Sequence, residues 1–104
     1  MANEHYLNEV NLDDVTSATT GTSVATQKYS RKTIGVNVSV NTGAVTVTIQ
    51  WSPDNSTWFD LDTKTYTAAT GNDTFEYDSN YAWMRTKTST QSTSTVKTWI
   101  TGRQ

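Results

Sequence analysis

Apolar residues alternate with small or polar ones along Thr33-Ile34-Gly35-Val36-Asn37-Val38-Ser39-Val40. After Asn41-Thr42-Gly43 the alternation resumes in Val45-Thr46-Val47-Thr48-Ile49-Gln50-Trp51. A period of two sends one set of side chains into a core and the other toward solvent, so both segments read as half-buried strands. Paired as a hairpin with a shared apolar face, they take a fixed register. Val40 then lies opposite Val45, Val38 opposite Val47, Val36 opposite Ile49 and Ile34 opposite Trp51. The turn centres on Thr42-Gly43, where Gly43 is expected to supply a positive φ.

Turn signals divide the rest of the chain into further short strands. Ser52-Pro53-Asp54-Asn55-Ser56 is a turn by composition, followed by strands at 57–61 and 64–67. Gly71-Asn72-Asp73 and Asp78-Ser79-Asn80 bracket a strand at 74–77, and others are expected at 81–87 and 95–101. A strand over 23–29 is separated from Thr33 by Ser30-Arg31-Lys32. No segment carries a helical apolar stripe. The pattern predicts an all-β protein, a single antiparallel β-sandwich or jelly roll of about seven to eight strands.

The first twenty-one residues break this rhythm. Tyr6, Leu7, Val10, Leu12 and Val15 are scattered among Asn, Asp and Glu, and Thr16-Ser17-Ala18-Thr19-Thr20-Gly21-Thr22 reads as a linker. The expected organisation is an extended N-terminal arm, 1–21, and a sandwich domain, 22–104. The arm's apolar residues would find burial in a groove on a neighbouring subunit or on a larger assembly; the competing arrangement packs the arm on its own domain, with Tyr6 and Leu12 closing one end of the sandwich.

Composition supports a folded β protein. Twenty-two Thr and ten Ser accompany four Trp and five Tyr in 104 residues. Thr and aromatics suit pleated, half-buried surfaces, whereas a disordered Ser/Thr stalk lacks both rings and alternation. A net charge of −2 with scattered basic residues argues against nucleic acid as a partner. No stretch is long and apolar enough to span a membrane, and no apolar signal-like region follows Met1.

Candidate chemistry is sparse. There is no cysteine, and His5 is the single histidine, which leaves no zinc set and no Ser-His-Asp arrangement. Asp60 and Asp62, two apart, are expected to point the same way, with Asp73, Glu76 and Asp78 later in the chain. Such carboxylates serve glycosidases or calcium sites, but at strand ends and turns they are ordinarily solvated. The expectation is a non-enzyme without cofactor or metal. Asn-x-Ser/Thr triplets at Asn37, Asn55 and Asn72 are no more than this composition produces by chance.

The aromatics say more. Burying Arg85 and Lys87 unpaired is costly, so Tyr81, Trp83, Arg85 and Lys87 should face outward, with Met84 and Thr86 inside. Val96, Thr98 and Ile100 make the inward set of the last strand, leaving Lys97 and Trp99 outside. A hairpin of these two strands with Lys87 opposite Thr95 sets Trp83 across from Trp99, an outer-face tryptophan pair flanked by Tyr81. Such a pair marks a contact surface or a carbohydrate platform.

The stretch from Val47 through Ser52-Pro53-Asp54-Asn55-Ser56-Thr57-Trp58-Phe59-Asp60-Leu61 resembles a pattern of small phage structural proteins. The likeness continues through Tyr81-Ala82-Trp83-Met84-Arg85 and ends at Val96-Lys97-Thr98-Trp99-Ile100-Thr101-Gly102, covering most of 34–102. Thr86, where those proteins have an apolar residue, and Trp83 at a surface position depart from it. The resemblance implies a virion protein made in the host cytoplasm: a capsid decoration (cement) protein on the phage head, or a tail, neck or fibre accessory. Its partners would be the major capsid protein or other virion proteins, and copies of itself, a trimer being one such form. The expected interface residues are Tyr6, Leu7, Val10, Leu12, Tyr81, Trp83 and Trp99. The rival from another class is a carbohydrate-binding module stacking sugars on Tyr81, Trp83 and Trp99.

Overall fold

The computed structural model describes residues 6–91 and 93–104; His5 lies outside them. Eight strands follow in chain order: β1 (Tyr6–Val15), β2 (Val24–Ala25), β3 (Arg31–Asn41), β4 (Ala44–Ser52), β5 (Phe59–Thr67), β6 (Gly71–Tyr77), β7 (Trp83–Ser89) and β8 (Ser94–Arg103). They form two four-stranded antiparallel sheets, sheet A in the order β1-β8-β3-β6 and sheet B in the order β2-β7-β4-β5. Met84, Val96 and Ile100 are fully enclosed, with Ile34, Val36, Val38, Val45, Val47, Ile49 and Tyr66 completing the core cluster. The protein is an antiparallel β-sandwich, as the alternation predicted.

Face assignment from alternation holds, but two expected hairpins do not form. β3 pairs with β6 and β8, and β4 with β5 and β7. Thr42 and Gly43 carry the chain from one sheet to the other, and no glycine among the described residues has a positive φ. Val36 and Val38 therefore belong to the sheet facing Val47 and Ile49. Val40 leaves the core altogether, 52% exposed, because a register shift interrupts the β3–β8 ladder between Val38 and Val40. Thr48, expected in solvent, is covered. β7 and β8 likewise lie in opposite sheets.

Residues 6–15, expected within an arm, are instead the edge strand of sheet A. β1 runs antiparallel to β8 from Tyr6 opposite Arg103 to Val15 opposite Val96. Two register shifts, one between Val10 and Leu12 and one between Leu12 and Val15, hide its periodicity. A bulge inserts an unpaired residue and reverses the facing of the residues after it. Leu7 and Leu12 consequently both turn inward although five positions apart, and Leu12 is 1% exposed. Segments 57–61 and 64–67 fuse into β5, while only Val24–Ala25 of the expected 23–29 strand is regular.

Among the described residues one basic side chain is enclosed. Lys32 is 1% exposed, its Nζ donating to the carbonyls of Tyr29 at 2.6 Å and Ser79 at 2.5 Å. Burial lowers its pKa, and the neighbouring Asp78 charge pushes it back up.

Candidate functional site

Of the carboxylates singled out in the sequence, Asp60, Asp62 and Asp73 are bound to side chains of their own fold, while Glu76 and Asp78 line a surface groove. A register shift in the β4–β5 ladder at Leu61 separates Asp60 from Asp62. Asp60 therefore sits opposite Gln50 on the outer face and accepts from its Nε2 at 2.7 Å, while Asp62 turns to the inner side and accepts from the Tyr77 hydroxyl. They do not point the same way. Asp73 accepts from the Tyr66 hydroxyl and pairs with Lys64 at 3.3 Å, closing the sandwich where β5 faces β6. Asp54 bonds the backbone of Ser56 and Thr57 within its own turn. No group of three or more His, Cys, Asp or Glu side chains fit to hold a metal occurs among the described residues.

The opposite edge is closed by a polar chain that sequence reading missed. Asn11, the extra residue of the first β1 bulge, accepts at Oδ1 from both the backbone N–H and the hydroxyl of Thr86, each at 2.7 Å. Its Nδ2 donates to the Thr22 carbonyl at 2.7 Å. Gly21 makes the insertion possible, because a Cβ there would lie 2.1 Å from Asn11 Oδ1.

The expected interface residues divide among four places. Trp83 and Trp99 do not pair. Trp83 lies on the outer face of sheet B, opposite Ala25 and Ser52, and Trp99 on the outer face of sheet A, opposite Gly35 and Val10. Leu7 packs against the core and Leu12 is part of the interior, so neither is available to a partner in this fold. Tyr81 belongs to an aromatic row, its ring 5.0 Å from Trp51 and 6.0 Å from Tyr77. Phe59 extends that row at 5.4 Å from Trp51.

Tyr6, Val10 and Trp99 do gather on one surface. Alternation along β1 points Tyr6 and Val10 outward, 57% and 46% exposed, with Val10 opposite Trp99. Lys97 lies over the Trp99 ring at 5.4 Å and pairs with Asp13 at 3.5 Å. Beside Tyr6 the same face sinks into a groove of about 500 Å³ whose lining includes Asn8, Arg31, Thr33, Glu76, Asp78, Thr101 and Arg103. On the outer face of sheet B, Arg85 lies 4.0 Å from the Trp58 ring centre and donates to Gln50 Oε1 at 2.8 Å. Gln50 is bonded onward to Asp60, and Trp83 lies two residues from Arg85 on the same face of β7.

No protein-family model and no curated protein sequence matches the chain. Solved structures do share its fold. The SPBc2 prophage-derived protein YomS superposes with a TM-score of 0.67 at 9% identity, covering 92% of this chain and 91% of that one. The PBSX exported protein XepA gives 0.62 at 14% identity over 94% of this chain, which spans only 37% of XepA. A structure described under "CBM4 structure and function" gives 0.50 at 16% identity, covering 95% of this chain and 71% of that one.

Proposed function

We propose that the chain is a non-enzymatic structural protein of a phage particle, a decoration (cement) protein that bridges subunits of the head. The observation carrying this reading is the exposed apolar pair Tyr6 and Val10 on the outer face of sheet A, with half-buried Trp99 opposite Val10. It lies on a sandwich whose singled-out aspartates mostly bond within the fold. Large apolar side chains left in water on an otherwise Thr-rich surface mark a contact. The whole-length likeness to a prophage-derived protein supports the same assignment. Bound copies would stabilise the shell by mass action, favouring the assembled state by their affinity for it.

The test is association with particles of the phage that encodes the chain. Purified protein should co-sediment with heads lacking it and raise the temperature at which they release DNA. Tyr6→Ser with Val10→Ser should keep the circular dichroism spectrum and lower affinity roughly tenfold or more, since aromatic anchors dominate interface energy. Binding only to tails would move the protein to the accessory role; no binding to any particle would sink the reading.

A second reading, carbohydrate binding, rests on the sheet B array of Trp58, Arg85, Gln50 and Asp60, with Trp83 on the same face. Ring faces and planar hydrogen-bonding groups suit sugars. A glycan array probed with the free protein separates the two.

A further inference from the structure

β1 is held on β8 as two unequal pieces. The segment from Tyr6 to Leu12 makes every register pair but Val15 with Val96, and it carries the enclosed Leu12 and the Asn11 bonds. Between the two pieces the ladder breaks at Asp13 and Asp14, both exposed. Asp14 has a φ of 53°. Left-handed backbone is strained for a residue with a Cβ. The kink at Asp14 returns Tyr6–Leu12 to the β8 of its own chain; drawn out straight, the same two residues take ordinary extended φ values. The surface ion pair of Asp13 with Lys97, its carboxylate side 75% exposed, holds this kink only weakly.

We propose that two copies of this chain exchange their Tyr6–Leu12 segments, each laid along the other's β8, with Asp13–Asp14 opened as the hinge. The seat on a second copy is identical, so the contacts of the segment re-form between chains. Leu12 enters the partner's interior, its backbone N–H meets the partner's Thr98, and Asn11 reaches the partner's Thr86 and Thr22, as they do within one chain. Each hinge that opens also sheds its left-handed residue, once per copy. A short element beside a strained connection is a low-cost route to such dimers. The entropy of joining two chains opposes it, so the dimer belongs to high concentration. The inference goes beyond the particle reading and needs no particle. It makes the contact surface composite, with Tyr6 and Val10 from one copy beside Trp99 from the other.

The experiment uses the full chain, which has no cysteine of its own. Asn8 and Thr101 lie opposite each other in the β1–β8 ladder, at a spacing a disulfide can span. Asn8→Cys protein and Thr101→Cys protein, unfolded together in urea and refolded at high concentration, should give a disulfide-linked pair on oxidation. A control puts the first cysteine on β5, as Thr65→Cys, and should give little. Wild type refolded the same way should show a dimer by light scattering. Asp14→Gly removes the strain from the closed form and should raise the dimer dissociation constant roughly fivefold or more. Asp14→Pro forbids the positive φ and should lower it. Monomer at every concentration, cross-linking no greater than the control, or a dimer indifferent to Asp14→Gly would each overturn the proposal. Should Asp14→Pro fail to fold, the Asp14→Gly comparison decides alone. An exchanged dimer that binds no particle would fault the docking reading and leave this one standing.

Discussion

Thr86 on β7 and Thr98 on β8 meet hydroxyl to hydroxyl across the sandwich, 2.7 Å apart and fully buried. Each hydroxyl has one proton, which fixes the direction of the chain they join. Thr86 spends its proton on Asn11 Oδ1, so Thr98 must donate to Thr86. Thr98 in turn accepts from the Leu12 backbone N–H at 3.0 Å. The polar residue at 86, where the resembling proteins have an apolar one, is thus the central link of a satisfied network joining both sheets to β1.

Thr86→Val orphans the Thr98 proton and is expected to cost about 1–3 kcal/mol in urea unfolding. Thr98→Val strands the Leu12 N–H and should cost a similar amount. The double variant should cost less than the sum of the two, with a coupling of about 0.5 kcal/mol or more. Strict additivity would show that the hydroxyls do not interact.

Gly21→Ala should destabilise by about 2–3 kcal/mol, because the new methyl displaces the Asn11 amide and the bonds it makes. Asn11→Ala loses the same bonds without a clash. The combined variant is then expected to be no worse than Asn11→Ala alone, which urea titration of the three proteins checks.

The Tyr66–Asp73 bond predicts both ends of the pH–stability curve. Asp73 is held below its ordinary 3.8, chiefly by the Tyr66 hydroxyl, so its contribution is present above that value and drains away as pH falls. Tyr66 is pushed up from 10.0, first by burial and then by its bond to Asp73, so its contribution is full below 10.0 and lost above it. Lys32, lowered by burial, works the other way as pH approaches 10.5. Comparing wild type with Tyr66→Phe cancels that term. The stability difference should be flat between about pH 5 and 9 and shrink beyond both limits.

Ala68, in the connection between β5 and β6, has φ of 49°. A side chain in that region is strained, and Gly is not. Ala68→Gly should raise stability by about 0.5–1 kcal/mol, read from the midpoint of urea unfolding.

Deleting residues 2–15 is expected to unfold the chain rather than free an arm. It removes the Leu12 side chain from the core, Asn11 from its network and the whole ladder along one edge of β8. Loss of the β-sheet circular dichroism signal at 25 °C is the expected result; a cooperative melt in the truncated protein would restore the arm.

Which residues face inward was readable in the sequence, and which strands are neighbours was not. Val36, Val38, Val47 and Ile49 alternate identically whether their strands lie side by side or face to face, so a hairpin and a crossing connection leave the same pattern. The same ambiguity separated Trp83 from Trp99. β1 stayed hidden for a different reason: its bulges put Leu7 and Leu12 on one side at a spacing no regular strand allows.

The β4–β5 ladder is the sole pairing of strands adjacent in the chain among the described residues; every other partner is distant. The contact between Leu12 and Thr98 spans 86 positions. On a ribosome extending at about 5–20 residues per second, β1 therefore waits roughly 4–17 seconds for its partner to be made. Throughout that interval Leu7, Leu12 and the free edge of β1 stand open to chaperones or to the β8 of another copy. Synthesis of this protein thus has a built-in vulnerable period, which closes only when β8 has cleared the exit tunnel.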